Sequence, residues 1–168
     1  MPDNHNNGSS SSGTTILTGW ARTIANIFAG RAATGKAAQQ PKAKNSSARI
    51  KLGQNGEKLA CKYLKKQGYK HLLSNYQIER GEIDLIMRQN QTIVFVEVKT
   101  RQSEDFVSGE AVVNYHKQKH ISLVARHFIH TNNLHDYPCR FDVIAVVTAD
   151  QGKSVIRHYQ NAFPYQLQ

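Results

Sequence analysis

Apolar positions recur along the latter part of the chain with two different periods, and the switch between them predicts the order of elements. From about Asn55 to Lys66, Leu59, Ala60, Tyr63 and Leu64 fall at helical spacing, and Gly68 supplies a stop signal. Three strand-like runs follow at His71 to Ile78, Glu82 to Arg88 and Thr92 to Thr100, divided by Arg80-Gly81 and Gln89-Asn90-Gln91. Such closely spaced runs predict an antiparallel meander. A second helix is expected from about His116 to His130, with Ile121, Val124, Ala125, Phe128 and Ile129 on one stripe. Phe141 to Val147 is a nearly continuous apolar run, the pattern of a strand covered on both faces, and a short last strand is expected over Ser154 to Tyr159. Helix, three strands, helix, strand, strand describes an α/β protein with a mixed sheet. The second helix is long enough to cross between parallel strands, and helices are expected on both faces.

Residues 1–48 break this regularity. They are rich in Ser, Gly, Asn, Ala and Gln, too poor in apolar surface to offset the entropy of ordering, and read as a flexible extension to a domain at 49–168. Within it, Thr15 to Ala33 has the pattern of a weakly amphipathic helix, with Ile16, Trp20, Ile24, Ile27 and Phe28 apolar and Arg22 and Arg31 on its polar sides. A membrane-surface or protein-docking role rests on that segment alone. No apolar run approaches the roughly 20 residues needed to cross a bilayer. The first residues also lack a basic n-region before an apolar h-region, so neither secretion nor a membrane span is expected.

Charge narrows the class of partner. The net charge is +10, and residues 49–168 alone carry 17 basic against 11 acidic side chains, so the domain itself favours an anionic partner such as nucleic acid. Two cysteines, Cys61 and Cys139, make neither a redox motif nor a disulfide scaffold, which fits a reducing, cytoplasmic setting. His116 and His120 are spaced i to i+4, with His127 and His130 beyond. No Glu stands between the first two in a His-Glu-x-x-His pattern, and Cys139 is isolated, so zinc is not indicated.

The chemistry concentrates in the meander. In Ile93 to Arg101, Glu97 and Lys99 are two apart in a strand and leave the same face. Asp84 interrupts the apolar run Gly81-Glu-Ile-Asp-Leu-Ile86, sharing a face with Glu82 and Ile86. Paired as a hairpin, the two runs bring Asp84 beside Glu97. Two neighbouring carboxylates repel unless a cation compensates, and hard oxygen donors suit Mg²⁺ or Mn²⁺. Such an ion activates water and polarises a phosphate oxygen, while a lysine in reach orients the water or stabilises developing charge; that chemistry is phosphodiester hydrolysis. Glu57 precedes Ala60, Cys61 and Leu64 by three, four and seven positions and so begins the inward stripe of the first helix. Lys117 stands four before Ile121 and seven before Val124, where it can reach a phosphate or the carboxylates, and Arg101, just past the strand, is a candidate phosphate contact. Glu82, beside the Gly81 turn, is expected in solvent or behind the site, and Asp142 in its apolar strand is expected to pair with Arg140 or another basic group. The bland alternatives are a solvated Glu97–Lys99 pair, a surface Asp84 and a Glu57 that merely complements the helix dipole.

Four segments in order, Gly53-x-x-Gly56-Glu57-x-x-Ala60, Gly81-Glu-Ile-Asp-Leu-Ile86, Val94-Phe-Val-Glu-Val-Lys99-x-Arg101 and Arg140-Phe-Asp-Val143, resemble the YraN family, UPF0102, over roughly residues 50–163. That family is similar to archaeal Holliday junction resolvases, within the PD-(D/E)xK nuclease superfamily. The resemblance implies a restriction-endonuclease-like mixed β-sheet flanked by helices. It also implies catalytic roles for Glu57, Asp84, Glu97 and Lys99, metal binding by Asp84 and Glu97, and a homodimer. The expected activity is a metal-dependent DNA endonuclease acting on branched or structured DNA. The competing reading is a non-catalytic nucleic-acid-binding module that keeps the fold and a vestigial site.

Overall fold

A computed structural model describes residues 44–101, 113–148 and 154–166 of the 168, with side chains from Ala48 onward. The expected arm as far as residue 43, with its Thr15 to Ala33 helix, lies outside the described residues. Two helices and five strands follow in the order α1 (Lys44–Lys66), β1 (Lys70–Ile78), β2 (Gly81–Gln89), β3 (Thr92–Arg101), α2 (Tyr115–Thr131), β4 (Cys139–Val147) and β5 (Val155–Phe163). The strands form one sheet in sequence order, antiparallel except for the β3–β4 pair, which is parallel and joined by α2 as the crossover. The mixed α/β fold and the meander are therefore as the pattern predicts.

Two boundaries differ. Helix α1 starts at Lys44, well before Asn55, because Ala48, Arg49 and Ile50 are exposed and a helix without a buried stripe leaves no periodic signal. Strand β5 runs on to Phe163 rather than ending near Tyr159, since its middle is polar and half-exposed and only Phe163 is buried.

Each face of the sheet carries one helix. Ala60 and Leu64 of α1, with Tyr69 after it, pack on Leu85, Met87, Val94, Val96, Ile144 and Val146. On the other face Phe128 of α2 meets Phe95 edge to face at 5.9 Å, and Phe95 stacks on Phe141 at 5.6 Å. Gly68, at φ 86°, ends α1 in the left-handed conformation; the Tyr69 N–H then reaches back to the Leu64 carbonyl at 3.0 Å.

At the N-terminal end of β4 a buried polar cluster ties three strands, β2, β4 and β5, to Tyr69 just after the end of α1. Asp142 is fully buried and accepts from Arg140 Nε at 2.9 Å, His158 Nε2 at 2.9 Å and the Asn161 N–H at 2.9 Å. Arg140 also donates to Gln89 at 2.8 Å and to the Tyr69 hydroxyl at 2.9 Å, which in turn accepts from Gln160 at 3.0 Å. The Asn161 bond has a clear cause. The β4–β5 register jumps from Phe141↔Phe163 to Val143↔Tyr159, so the strand bulges opposite Asp142 and the carboxylate takes an N–H that the ladder leaves over. The expected Arg140 partner is present, with His158 and Asn161 added.

Helix α1 approaches the sheet tightly at Gly56, where any Cβ would overlap the Thr100 side chain of β3. That approach sets the position of the next residue, Glu57. Gly56→Ala is expected to destabilise the protein by about 1–3 kcal/mol through overpacking. Combining it with Thr100→Ala should recover most of the loss in chemical denaturation.

Candidate active site

Strand β3 is buried on both faces through Val96, and its alternation continues into polar residues at Glu97 and Lys99. Glu97 is only 7% exposed. Lys99 Nζ lies 3.7 Å from its Oε1, so the two share a face as the alternation predicts. The β2–β3 ladder runs from Gln89↔Thr92 to Leu85↔Val96. Past it, Asp84 Oδ2 accepts the Val98 N–H at 2.6 Å, which fixes the Asp84 carboxyl against the strand that bears Glu97.

The second cation comes from the crossover helix. Asn114 caps α2 by accepting the Lys117 N–H at 2.9 Å, which sets Lys117 in the first turn. A lysine there opposes the helix dipole, and its compensation is Glu97, whose Oε2 lies 3.3 Å from Lys117 Nζ. Even so, that oxygen is wholly enclosed and receives no hydrogen bond of good geometry. A buried acceptor with no hydrogen bond is costly unless something further is meant to reach it.

Asp84 registers the same strain. Its pKa is raised to about 7, chiefly by burial and then by the charge of Glu97, against the Val98 N–H and Lys117, which favour the charged form; Glu57 adds to the rise. Glu57 itself is raised by burial and by Glu82, with a hydrogen bond from Asn75 opposing. Asp84, Glu97, Lys99 and Lys117 thus converge, which excludes the solvated-pair reading of Glu97 and Lys99. Glu57 stands at the rim on Asn75, and Glu82 is exposed beside it. Arg101 is exposed at the end of β3, where its carbonyl accepts from the Thr148 N–H at 2.8 Å. Asn75 and Asn114 carry no sequence signal of their roles beyond the tolerance of asparagine for caps and left-handed turns, Asn75 having φ 53°.

The oxygens that a divalent cation could use here belong to Asp84 and Glu97. Among the described residues no three His, Cys, Asp or Glu side chains gather at one point, so further donors would be water and substrate oxygens, as is usual for Mg²⁺. The enclosed Glu97 oxygen and the raised Asp84 pKa fit that donor set, since each marks negative charge that the lysines leave incompletely balanced.

Residues 56–146 match the family model described as "Uncharacterised protein family UPF0102". A UPF0102 protein of Alkaliphilus oremlandii is 46% identical over 115 residues, covering 67% of this chain and 97% of that protein. One from Thermodesulfovibrio yellowstonii is 44% identical over 116 residues, covering 69% and 98%. One from Caldanaerobacter subterraneus is 42% identical over 114 residues, covering 67% and 93%.

The raised Asp84 pKa carries a sign. Between its ordinary value and about 7 the folded state holds a proton that the unfolded state has released, so stability falls as pH rises through that window and levels off above it. Asp84→Asn is expected to raise the melting temperature at pH 8, by roughly 4–8 °C for each 1 kcal/mol gained, and to leave it nearly unchanged at pH 4. Thermal denaturation at the two pH values checks this.

Proposed function

The chain belongs to the UPF0102 family, and on that premise we propose that it is a metal-dependent endonuclease that hydrolyses phosphodiester bonds in branched or otherwise structured DNA. The observation that carries the reading is the buried Glu97 beside the half-buried Asp84, with Lys99 and Lys117 against Glu97. It is supported by the order of the parts, an acidic residue on one strand, Glu-x-Lys on the next and a glutamate on the preceding helix, which resembles the PD-(D/E)xK nucleases.

Asp84 and Glu97 would hold Mg²⁺ or Mn²⁺, which would supply polarisation of a phosphate oxygen and acidification of water at the site. Lys99 orients the attacking water and stabilises charge that develops on the phosphate. Lys117 holds Glu97 in place through their 3.3 Å ion pair, and contacts a substrate phosphate when the carboxylate is otherwise engaged. Glu57, whose carboxyl is raised above its ordinary range at the rim, is placed to hold a proton during turnover. Arg101 contacts the backbone beyond the site. The two thiols, with Cys61 half-buried, Cys139 exposed and neither in a disulfide, suit a cytoplasmic enzyme.

The test uses labelled four-way-junction, duplex and single-stranded DNA with Mg²⁺, Mn²⁺ or EDTA. Cleavage that needs metal, falls about 100-fold or more in Glu97→Ala and falls comparably in Lys99→Ala is expected. Junction that is bound but uncut under every metal condition would instead assign a binding module.

A further inference from the structure

On the face of the sheet that α1 covers, α1 and the edge strand β1 enclose an open groove of about 790 Å³, which shares Glu57 with the candidate site. Its α1 wall presents Lys58, Lys62, Lys65 and Lys66. The first three stand at i, i+4 and i+7, one stripe of the helix. Among the described residues no ion pair holds any of the four. Lys65 and Lys66 occupy the last turn, where the helix dipole stabilises a cation without further purpose. Lys58 and Lys62 have no such explanation. Leu85 lines the groove from β2, and Ser74 and Asn75 offer hydrogen-bonding groups from β1. At one end the lining includes Glu57, which lies within electrostatic reach of Asp84. Glu57 is therefore the link between the groove and the carboxylates.

We infer that this groove is a binding track for the sugar-phosphate backbone of one nucleic-acid strand leaving the Asp84–Glu97 site. The inference deepens the nuclease reading and rests on it for the direction of the strand. From Lys58 to Lys66 the helix rises about 12 Å, the axial length of roughly three or four nucleotides at about 3.4 Å each. The groove takes a single strand and is too confined for a duplex. A row of lysines along a partly apolar trough is how proteins follow a strand without reading its bases.

The measurement is fluorescence anisotropy of short labelled oligothymidylate and oligouridylate across a salt series, in EDTA so that nothing is cut. Relative to wild type, Lys58→Ala/Lys62→Ala is expected to weaken binding about tenfold and to reduce the slope of log affinity against log salt by about 1.4, two phosphate contacts' worth for single strands. Lys119→Ala/Arg126→Ala on α2 should change neither. A loss with both oligonucleotides supports a track blind to the sugar; a loss with one assigns the track to that strand type. Unchanged affinity and slope in the α1 variant with both oligonucleotides would overturn the inference. The nuclease reading fails separately: wild type that binds through these lysines yet cuts nothing with Mg²⁺ or Mn²⁺ retains the track and loses the enzyme.

Discussion

Strand β3 must present different chemistry to its two faces and along its length. Val94 and Val96 face α1, while Phe95 faces α2. Both helices are held to the sheet through this strand, and its parallel pairing with β4 requires the α2 crossover. The same two-residue period that buries Phe95 carries Glu97 and Lys99 out on its side, toward the start of α2. The site is thus a continuation of the packing pattern. Lys117 arrives because the crossover must begin where β3 ends, and the Asn114 cap settles which residue of the first turn faces the carboxylate.

Two aspartates in this sheet do related backbone work with opposite electrostatic outcomes. Asp84 and Asp142 each accept a backbone N–H at a place where strand pairing is interrupted. Burial works against the charge of Asp142, yet hydrogen bonds from His158, Arg140 and Asn161 outweigh it and hold that carboxyl below its ordinary range. Asp84 has one N–H, a lysine at longer range and a second carboxylate nearby, so burial wins and its proton affinity rises. A fully satisfied polar cluster ties strands together, and an under-compensated one is available to bind something.

Most of the fold is legible in the sequence because the sheet and α2 are buried by one consistent stripe or alternation, so β1 to β4 and α2 emerge within two residues of their observed ends. The first turns of α1 and the end of β5 are not, since exposed backbone-driven structure leaves no apolar pattern. At the site, the convergence of Asp84, Glu97 and Lys99 follows from alternation plus hairpin pairing. The place of Lys117 against Glu97 needs the packing of α2 as well. Asn75 and the bulge opposite Asp142 are illegible because they depend on positive φ and register jumps that no periodicity encodes.

Those same irregularities fall on the two edge strands. In β1 the register slips between His71 and Leu73, and Asn75 has φ 53°; in β5 the strand bulges opposite Asp142, and Asn161 has φ 51°. An outer strand with such interruptions presents no straight run of N–H and C=O groups, so a stray chain has little template on which to extend the sheet. The bends that bring Asn75 to Glu57 and the Asn161 N–H to Asp142 therefore also guard the protein against edge-to-edge aggregation, and they disfavour any self-association built on a shared β-sheet.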